Sequence, residues 1–201
     1  MDLLKYILLG FIQGFTETIP VSSSGHLMIF KKLMSVNVDY DTIAILTNFG
    51  SLIAIIILFW DDIVKIIRGF FKYLTKKDDN KIGVKEALTV GCFQILGLFP
   101  GISRSGSTIV GGMTQGLKRD TAFKYSFMLY IPMSIAAMAL EIMDLNIDSS
   151  LIFYYICSVV VSLVVTLLVT KWFRKIVNNG KLIYFSIYCF VVGLLVILFL
   201  K

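Results

Sequence analysis

Glu17, His26 and Arg104 are ionisable side chains set in otherwise apolar sequence, each within a short run of hydroxyls and glycines. The first run is Gln13-Gly14-Phe15-Thr16-Glu17-Thr18-Ile19-Pro20-Val21-Ser22-Ser23-Ser24-Gly25-His26. The second is Gln94-Ile95-Leu96-Gly97-Leu98-Phe99-Pro100-Gly101-Ile102-Ser103-Arg104-Ser105-Gly106-Ser107-Thr108. Ionisable groups at membrane depth cost roughly 2.5–3.5 kcal/mol each even on the lenient insertion scale, so a chain that keeps them has a use for them. Gln13 and Glu17 share one helical face, and their oxygens suit a hard divalent metal, Mg²⁺ or Ca²⁺, with substrate phosphate completing the coordination. The plainer alternative has Gln13 bridging helices and Glu17 pairing with a buried cation. Arg104 offers a planar guanidinium that can grip a phosphoryl group through two hydrogen bonds. Its alternative is a structural ion pair with Glu17, which equally requires the two runs to touch.

Pro20 ends a helix, and Ser22-Ser23-Ser24-Gly25 can start the next, turning hydroxyls and free N–H groups toward a phosphate. Serines and glycines also serve simply to pack helices closely in lipid. His26 is the only histidine. It could act as nucleophile, as general base for a serine or water, or as general acid, or else be a hydrogen-bonded packing residue. Metal, arginine and N–H groups around a phosphorus centre supply the charge stabilisation that phosphoryl transfer chiefly needs.

The elements that must position these groups are membrane helices. The chain has 201 residues, 57% of them hydrophobic and 16% charged, with a mean hydropathy of +0.85; this is too much apolar surface for one soluble core. The reading is an all-α integral membrane protein. Residues 42–60, 121–143, 149–170 and 182–200 are each near the ~20 residues that cross a hydrocarbon core. The motif segments 6–16, 18–30, 87–103 and 105–117 are shorter and broken by charge, proline or glycine, so they predict two re-entrant hairpins whose tips meet inside the protein.

A shift of 81 residues aligns Gly10, Gln13, Ser22, Ser24 and Gly25 with Gly91, Gln94, Ser103, Ser105 and Gly106. One span separates the hairpins, so they enter from opposite faces, as an inverted repeat of hairpin plus transmembrane helix followed by two further transmembrane helices. Charge asymmetry agrees. Lys65, Arg68, Lys72, Lys76, Lys77, Lys81, Lys85, Lys118, Arg119, Lys124, Lys171, Arg174, Lys175 and Lys181 fall on one side, and only Lys5, Lys31, Lys32 and Lys201 on the other. By the positive-inside rule the first side is cytoplasmic and both termini lie outside. The chain reads as a single membrane domain, 1–201, with a first repeat 1–74, a linker 75–84, a second repeat 85–143 and C-terminal spans 149–200. Residues 61–74 form an amphipathic or span-extending helix.

The net charge of +6 lies in short loops beside spans and implies no nucleic-acid partner. The N-terminus lacks a basic region and cleavage site, so it is expected to be retained. Cys92, Cys157 and Cys189 read as buried thiols without zinc-ligand spacing, and the nine tyrosines and two tryptophans as mostly lipid-facing packing.

Gln13-x-x-x-Glu17 with Pro20-Val21-Ser22-Ser23-Ser24-Gly25-His26, and Pro100-Gly101-Ile102-Ser103-Arg104-Ser105-Gly106-x-Thr108, resemble the two signatures of the bacterial undecaprenyl-diphosphate phosphatase, or bacitracin-resistance, family. The similarity runs through Asn48-Phe49-Gly50-Ser51-Leu52 and along the C-terminal spans. It implies hydrolysis of a polyprenyl diphosphate lipid to the monophosphate at the outer face of the bacterial cytoplasmic (inner) membrane, with a divalent metal, recycling the carrier for cell-wall synthesis. Carried over by motif position, Gln13 and Glu17 fall on the family's acidic or amide pair, Ser23 and His26 on its proposed nucleophile and base positions, and Arg104 on its diphosphate-binding arginine. Ser103, Ser105 and Thr108 fall on the family's phosphate-contacting hydroxyls, and Ser22, Ser24, Gly25 and Gly106, at the two helix starts, are expected to bind substrate beside them. The chain departs by lacking an additional helical hairpin between the signatures. That loss preserves the parity of the spans and leaves the lipid-tail groove and a homodimer contact open. A lipid-phosphate carrier on the same inverted repeat is the alternative from another class.

Overall fold

The computed structural model describes residues 2–34, 39–75, 84–97, 99, 101–142, 145 and 147–199. The order is α1 (Asp2–Thr18), α2 (Ser23–Met34), α3 (Tyr40–Leu58), α4 (Trp60–Thr75), α5 (Val84–Leu96), α6 (Arg104–Thr114) and α7 (Arg119–Glu141), then a 3₁₀ turn (Ser149–Leu151) leading into α8 (Ile152–Asn178), and α9 (Ile183–Phe199). Among the described residues there is no strand.

Three segments are long and apolar enough to cross a bilayer: Tyr40–Leu58, Arg119–Glu141 and Ser149–Asn178. The fourth expected span forms α9, whose 17 residues reach about 25 Å at 1.5 Å per residue, a few ångströms short of a full crossing. The amphipathic reading of 61–74 corresponds to α4. Most of the proposed linker, residues 76–83, and Pro100 of the second motif lie outside the described residues.

Both motif segments form helical hairpins, α1–α2 and α5–α6, and both break where the sequence carries its turn residues. At the first tip Ser22 has φ 67°, the only positive value at a described non-glycine position. Its hydroxyl caps α2 by accepting from the Gly25 N–H at 3.4 Å. At the second tip Gly101 turns at φ 87°, and the Ser103 hydroxyl caps α6 by accepting from the Gly106 N–H at 3.3 Å. The correspondence continues to the next residues: a His26 ring nitrogen meets the Ser22 carbonyl at 2.8 Å, and the Ser107 hydroxyl donates to the Ser103 carbonyl at 3.0 Å. The repeat legible in the letters is therefore a repeat of cap hydrogen bonds, made on different backbones: φ is 67° at Ser22 and −71° at the equivalent Ser103.

α3 and α7 run antiparallel. Asp62, just past the end of α3, pairs with Lys124 near the start of α7 at 3.1 Å, and Asn48 meets Tyr130 midway. Tyr40 and Ala44 then share a cavity wall with Ala137 and Glu141. The first end also holds the Asp120–Arg174 pair, at 2.7 Å. At the other end Asp39 caps α3, its exposed carboxyl held below the usual range by the Thr42 hydroxyl and N–H.

α8 backs the first hairpin and α3. Gly10 and Gly14 of α1 lie against the backbone of Ser158 and Ser162, and Gly50 of α3 against Val159. Small residues allow this approach, and in lipid such packing with interhelical hydroxyl bonds takes the place of a hydrophobic drive. Ser51 bonds both Ser162 and Thr166 at 2.9 Å, and Ser162 donates to the Thr47 carbonyl at 2.7 Å. An apolar cluster of Leu52, Ile55, Phe59, Phe123, Phe127 and Phe173 fixes α3, α7 and α8 together just below the tips.

Candidate active site

The two hairpin tips touch. Pro20 lies so close to Gly106 that a side chain there would collide with it at 2.9 Å. Beside this contact is a cavity of about 360 Å³, reaching from the tips to the ends of α3 and α7 at Tyr40 and Glu141.

Glu17, in the last turn of α1, is its centre. One carboxylate oxygen accepts from Arg104 at 2.6 Å. The other accepts from the Gln13 amide at 2.8 Å and from the Ser23 hydroxyl at 2.6 Å. The helical spacing of Gln13 and Glu17 brings the first pair together. The turn at Ser22 folds Ser23 back over Glu17, and tip contact delivers Arg104 from α6. The ion pair is only partly exposed, with side-chain accessibilities of 22% for Arg104 and 9% for Glu17. Serine beside a carboxylate is a nucleophile beside a base, and an arginine completes a site for an anionic reacting group.

Of the sequence candidates, Gln13, Glu17, Ser22, Ser23, Ser24, Ser103, Arg104 and Ser105 line the cavity. Gly25 serves the α2 cap through its N–H, and Gly106 receives Pro20. Thr108 is buried and turned toward α7, bonding Ser126 at 2.6 Å, so its hydroxyl fastens α6 instead of facing the cavity. His26 also points away. One ring nitrogen meets the Ser22 carbonyl and the other the Tyr188 hydroxyl of α9, both at 2.8 Å. This is the hydrogen-bonded arrangement the sequence left as its alternative.

One aromatic residue read as packing takes part in the site. Tyr130 is 3% exposed; the Arg104 guanidinium lies 4.2 Å from its ring centroid, and its hydroxyl donates to Asn48 at 2.7 Å. Asn48 itself lines the cavity. A planar guanidinium stacked on a ring and bonded to a carboxylate is held in orientation as well as charge. Only the polar Asn48 inside an apolar span signalled this in the sequence. Cys92 is exposed, whereas Cys157 and Cys189 are half-buried, so the reading of three buried thiols fails at Cys92.

For a divalent cation the donor set is thin but suitable. Among the described residues no three His, Cys, Asp or Glu side chains cluster as ligands. Gln13 spends its N–H on Glu17 and keeps its carbonyl oxygen, and Glu17 retains lone pairs beyond its three bonds. One amide oxygen and one carboxylate fit Mg²⁺, which keeps water and takes phosphate oxygens to fill its shell.

Comparison with known proteins shows the family. Undecaprenyl-diphosphatase 1 of Bacillus licheniformis is 33% identical over 264 aligned positions that take in 98% of each chain. Undecaprenyl-diphosphatase 2 of Bacillus thuringiensis is 30% identical, again over 98% of both. Undecaprenyl-diphosphatase 1 of Halalkalibacterium halodurans is 31% identical over 97% of this chain and 95% of its own. These alignments are longer than the 201 residues of the chain, so the relatives carry a stretch with no counterpart here. The family model of bacitracin resistance protein BacA matches residues 6–83 and 72–195, two pieces that overlap in the linker between the two motifs, where the resemblance implied a missing hairpin. Matched from Tyr6 almost to its end, and built around the two touching tips that its motifs form, the chain belongs to the BacA bacitracin resistance family as a shortened, multi-pass membrane member.

Proposed function

We propose that this protein hydrolyses undecaprenyl diphosphate to undecaprenyl phosphate and inorganic phosphate. The observation that carries it is the Ser23–Glu17–Arg104 cluster at the meeting of the two tips. The names of the relatives support the substrate.

The diphosphate enters the cavity with Arg104 and the hydroxyls of Ser22, Ser24, Ser103 and Ser105 around it, at the N-terminal ends of α2 and α6, where helix dipoles favour anions. A divalent cation held by the Gln13 oxygen and Glu17 would draw negative charge off the phosphates. Ser23 attacks the terminal phosphorus: its Oγ–P bond forms, its proton passes to Glu17, and the bridging P–O bond breaks. Glu17 returns that proton to the departing lipid phosphate, takes one from the water that cleaves the phosphoserine, and restores it to Ser23 as inorganic phosphate leaves. Arg104, held flat on Tyr130, stabilises charge in both transfers.

The cavity reaches Tyr40 and Glu141, the end opposite the Lys124 and Arg174 pairs. With the basic end in the cytoplasm, the site opens to the extracytoplasmic side of the bacterial inner membrane.

The test is Mg²⁺-dependent phosphate release from undecaprenyl diphosphate by detergent-purified protein. Ser23→Ala, Glu17→Ala and Arg104→Ala should each lower kcat/KM by at least about 100-fold, as loss of a nucleophile, base or charge-stabilising group does, and a chelator should stop the wild type. Tight lipid binding without phosphate release would overturn the phosphatase and favour the carrier.

A further inference from the structure

His26 lies next to the nucleophile's turn yet faces away from the cavity, and α9 is the reason. This helix has no buried residue among those described. It meets the first tip at two neighbouring positions. The Tyr188 hydroxyl bonds the His26 ring at 2.8 Å, with the two rings stacked 5.7 Å apart at 12°. The Cys189 thiol reaches the Pro20 carbonyl at 3.7 Å.

A backbone carbonyl can only accept, so the His26 Nδ1 at 2.8 Å from the Ser22 oxygen carries the proton, and in the neutral ring Nε2 accepts from Tyr188. The bonded carbonyl belongs to the residue held at φ 67°. A non-glycine residue in this region is strained and persists only where its surroundings over-determine it. The next residue is Ser23, whose hydroxyl must stay on Glu17 at 2.6 Å.

The geometry points to Tyr188 as a positioning residue: through His26 it holds the strained Ser22 turn that aims Ser23 at the phosphorus. His26 then acts as a brace and moves no proton in the reaction. The inference rests on the proposed phosphatase reading for its kinetic arm and is independent of it for its spectroscopic arm.

The experiment compares Tyr188→Phe, His26→Asn and His26→Ala with the wild type. Tyr188→Phe removes one hydroxyl and should lower kcat about 10-fold at unchanged KM and thermal midpoint, within what sub-ångström misplacement of a reacting group costs. Asparagine can place its amide N–H where Nδ1 stood, so His26→Asn should retain at least about 10 times the kcat of His26→Ala, about one decade of rate being the share of one hydrogen bond to a positioned group. Because the chain has a single histidine, ¹⁵N-histidine labelling reports one ring. It should show the Nδ1–H tautomer, with an Nε2 signal that shifts in Tyr188→Phe. Wild-type kcat in Tyr188→Phe, equal loss in His26→Asn and His26→Ala, or an Nε2 signal indifferent to Tyr188 would each overturn the proposal. A wild type that releases no phosphate defeats the phosphatase reading alone, and the ring signals then decide the brace.

Discussion

A single carboxylate organises the site: Glu17 accepts from Arg104, Gln13 and Ser23 at once. With no second acid at Gln13, the proposed hold on a hard cation would rest on one full charge and one amide dipole. Gln13→Glu would place a second carboxylate where an amide now donates at 2.8 Å. Two like charges at that distance repel, and a divalent cation between them relieves the repulsion. The Mg²⁺ concentration for half-maximal phosphate release should therefore fall about 10-fold, roughly 1.4 kcal/mol, while the metal-free variant melts earlier than the wild type. An unchanged Mg²⁺ requirement would remove Gln13 from the ligand set. Gln13, Glu17, Ser23 and Arg104 were legible in the sequence because a polar group inside an apolar run has to be used. The side-chain directions were not. His26 and Thr108 carry the right chemistry at the right tip but point to α9 and α7. Tyr130 and Tyr188 look like membrane aromatics until their neighbours are known.

Between elements, the repeat gives a paired test. Gly10 and Gly91 are equivalent under the internal shift, yet their surroundings differ. A Cβ on Gly10 would run into the Ser158 backbone of α8, whereas one on Gly91 would meet nothing within 4 Å among the described residues. Backbone cannot yield as a side chain tip can, so Gly10→Ala must push α1 off α8 and should cost about 1–3 kcal/mol, the usual range for overpacking. It should also lower activity, because α1 carries Glu17. Gly91→Ala should be neutral or stabilising by up to about 1 kcal/mol through helix propensity alone. Thermal unfolding in one detergent decides it, and equal responses would mean that α1 does not depend on α8 for its seat. The hairpins and long helices could be read from apolar run lengths and the Pro/Gly breaks. The asymmetry could not, because shared letters at Gly10 and Gly91 do not reveal that α8 lies against Gly10 and Gly14 of the first hairpin.

For the molecule as a whole, the decisive property is that its halves face opposite ways. α3 and α7 are antiparallel, each follows its hairpin, and the tips meet at Pro20 and Gly106. Such a site is held by two hairpins entering from the two membrane faces. The sequence supplied this through parity and the lysine and arginine asymmetry, and a missing pair of spans leaves both intact. It did not supply the bounds of α9, described over the 17 residues Ile183–Phe199: Leu182 belongs to the turn after α8, and Leu200 lies outside the described residues. Lys32, near the end of α2, and Lys118, just beyond α6, are both exposed at the outer ends of the two hairpins. After Cys92, Cys157 and Cys189 are replaced by serine or alanine, Lys32→Cys should react with an impermeant thiol reagent added outside intact cells. Lys118→Cys should react only once the membrane is opened, since its neighbours Arg119, Lys124 and Arg174 mark the basic end. Reaction of both from outside would mean that the hairpins enter from one face. One entry face for both would put Glu17 and Arg104 at the ends of parallel hairpins, where the antiparallel run of α3 and α7 could not be kept.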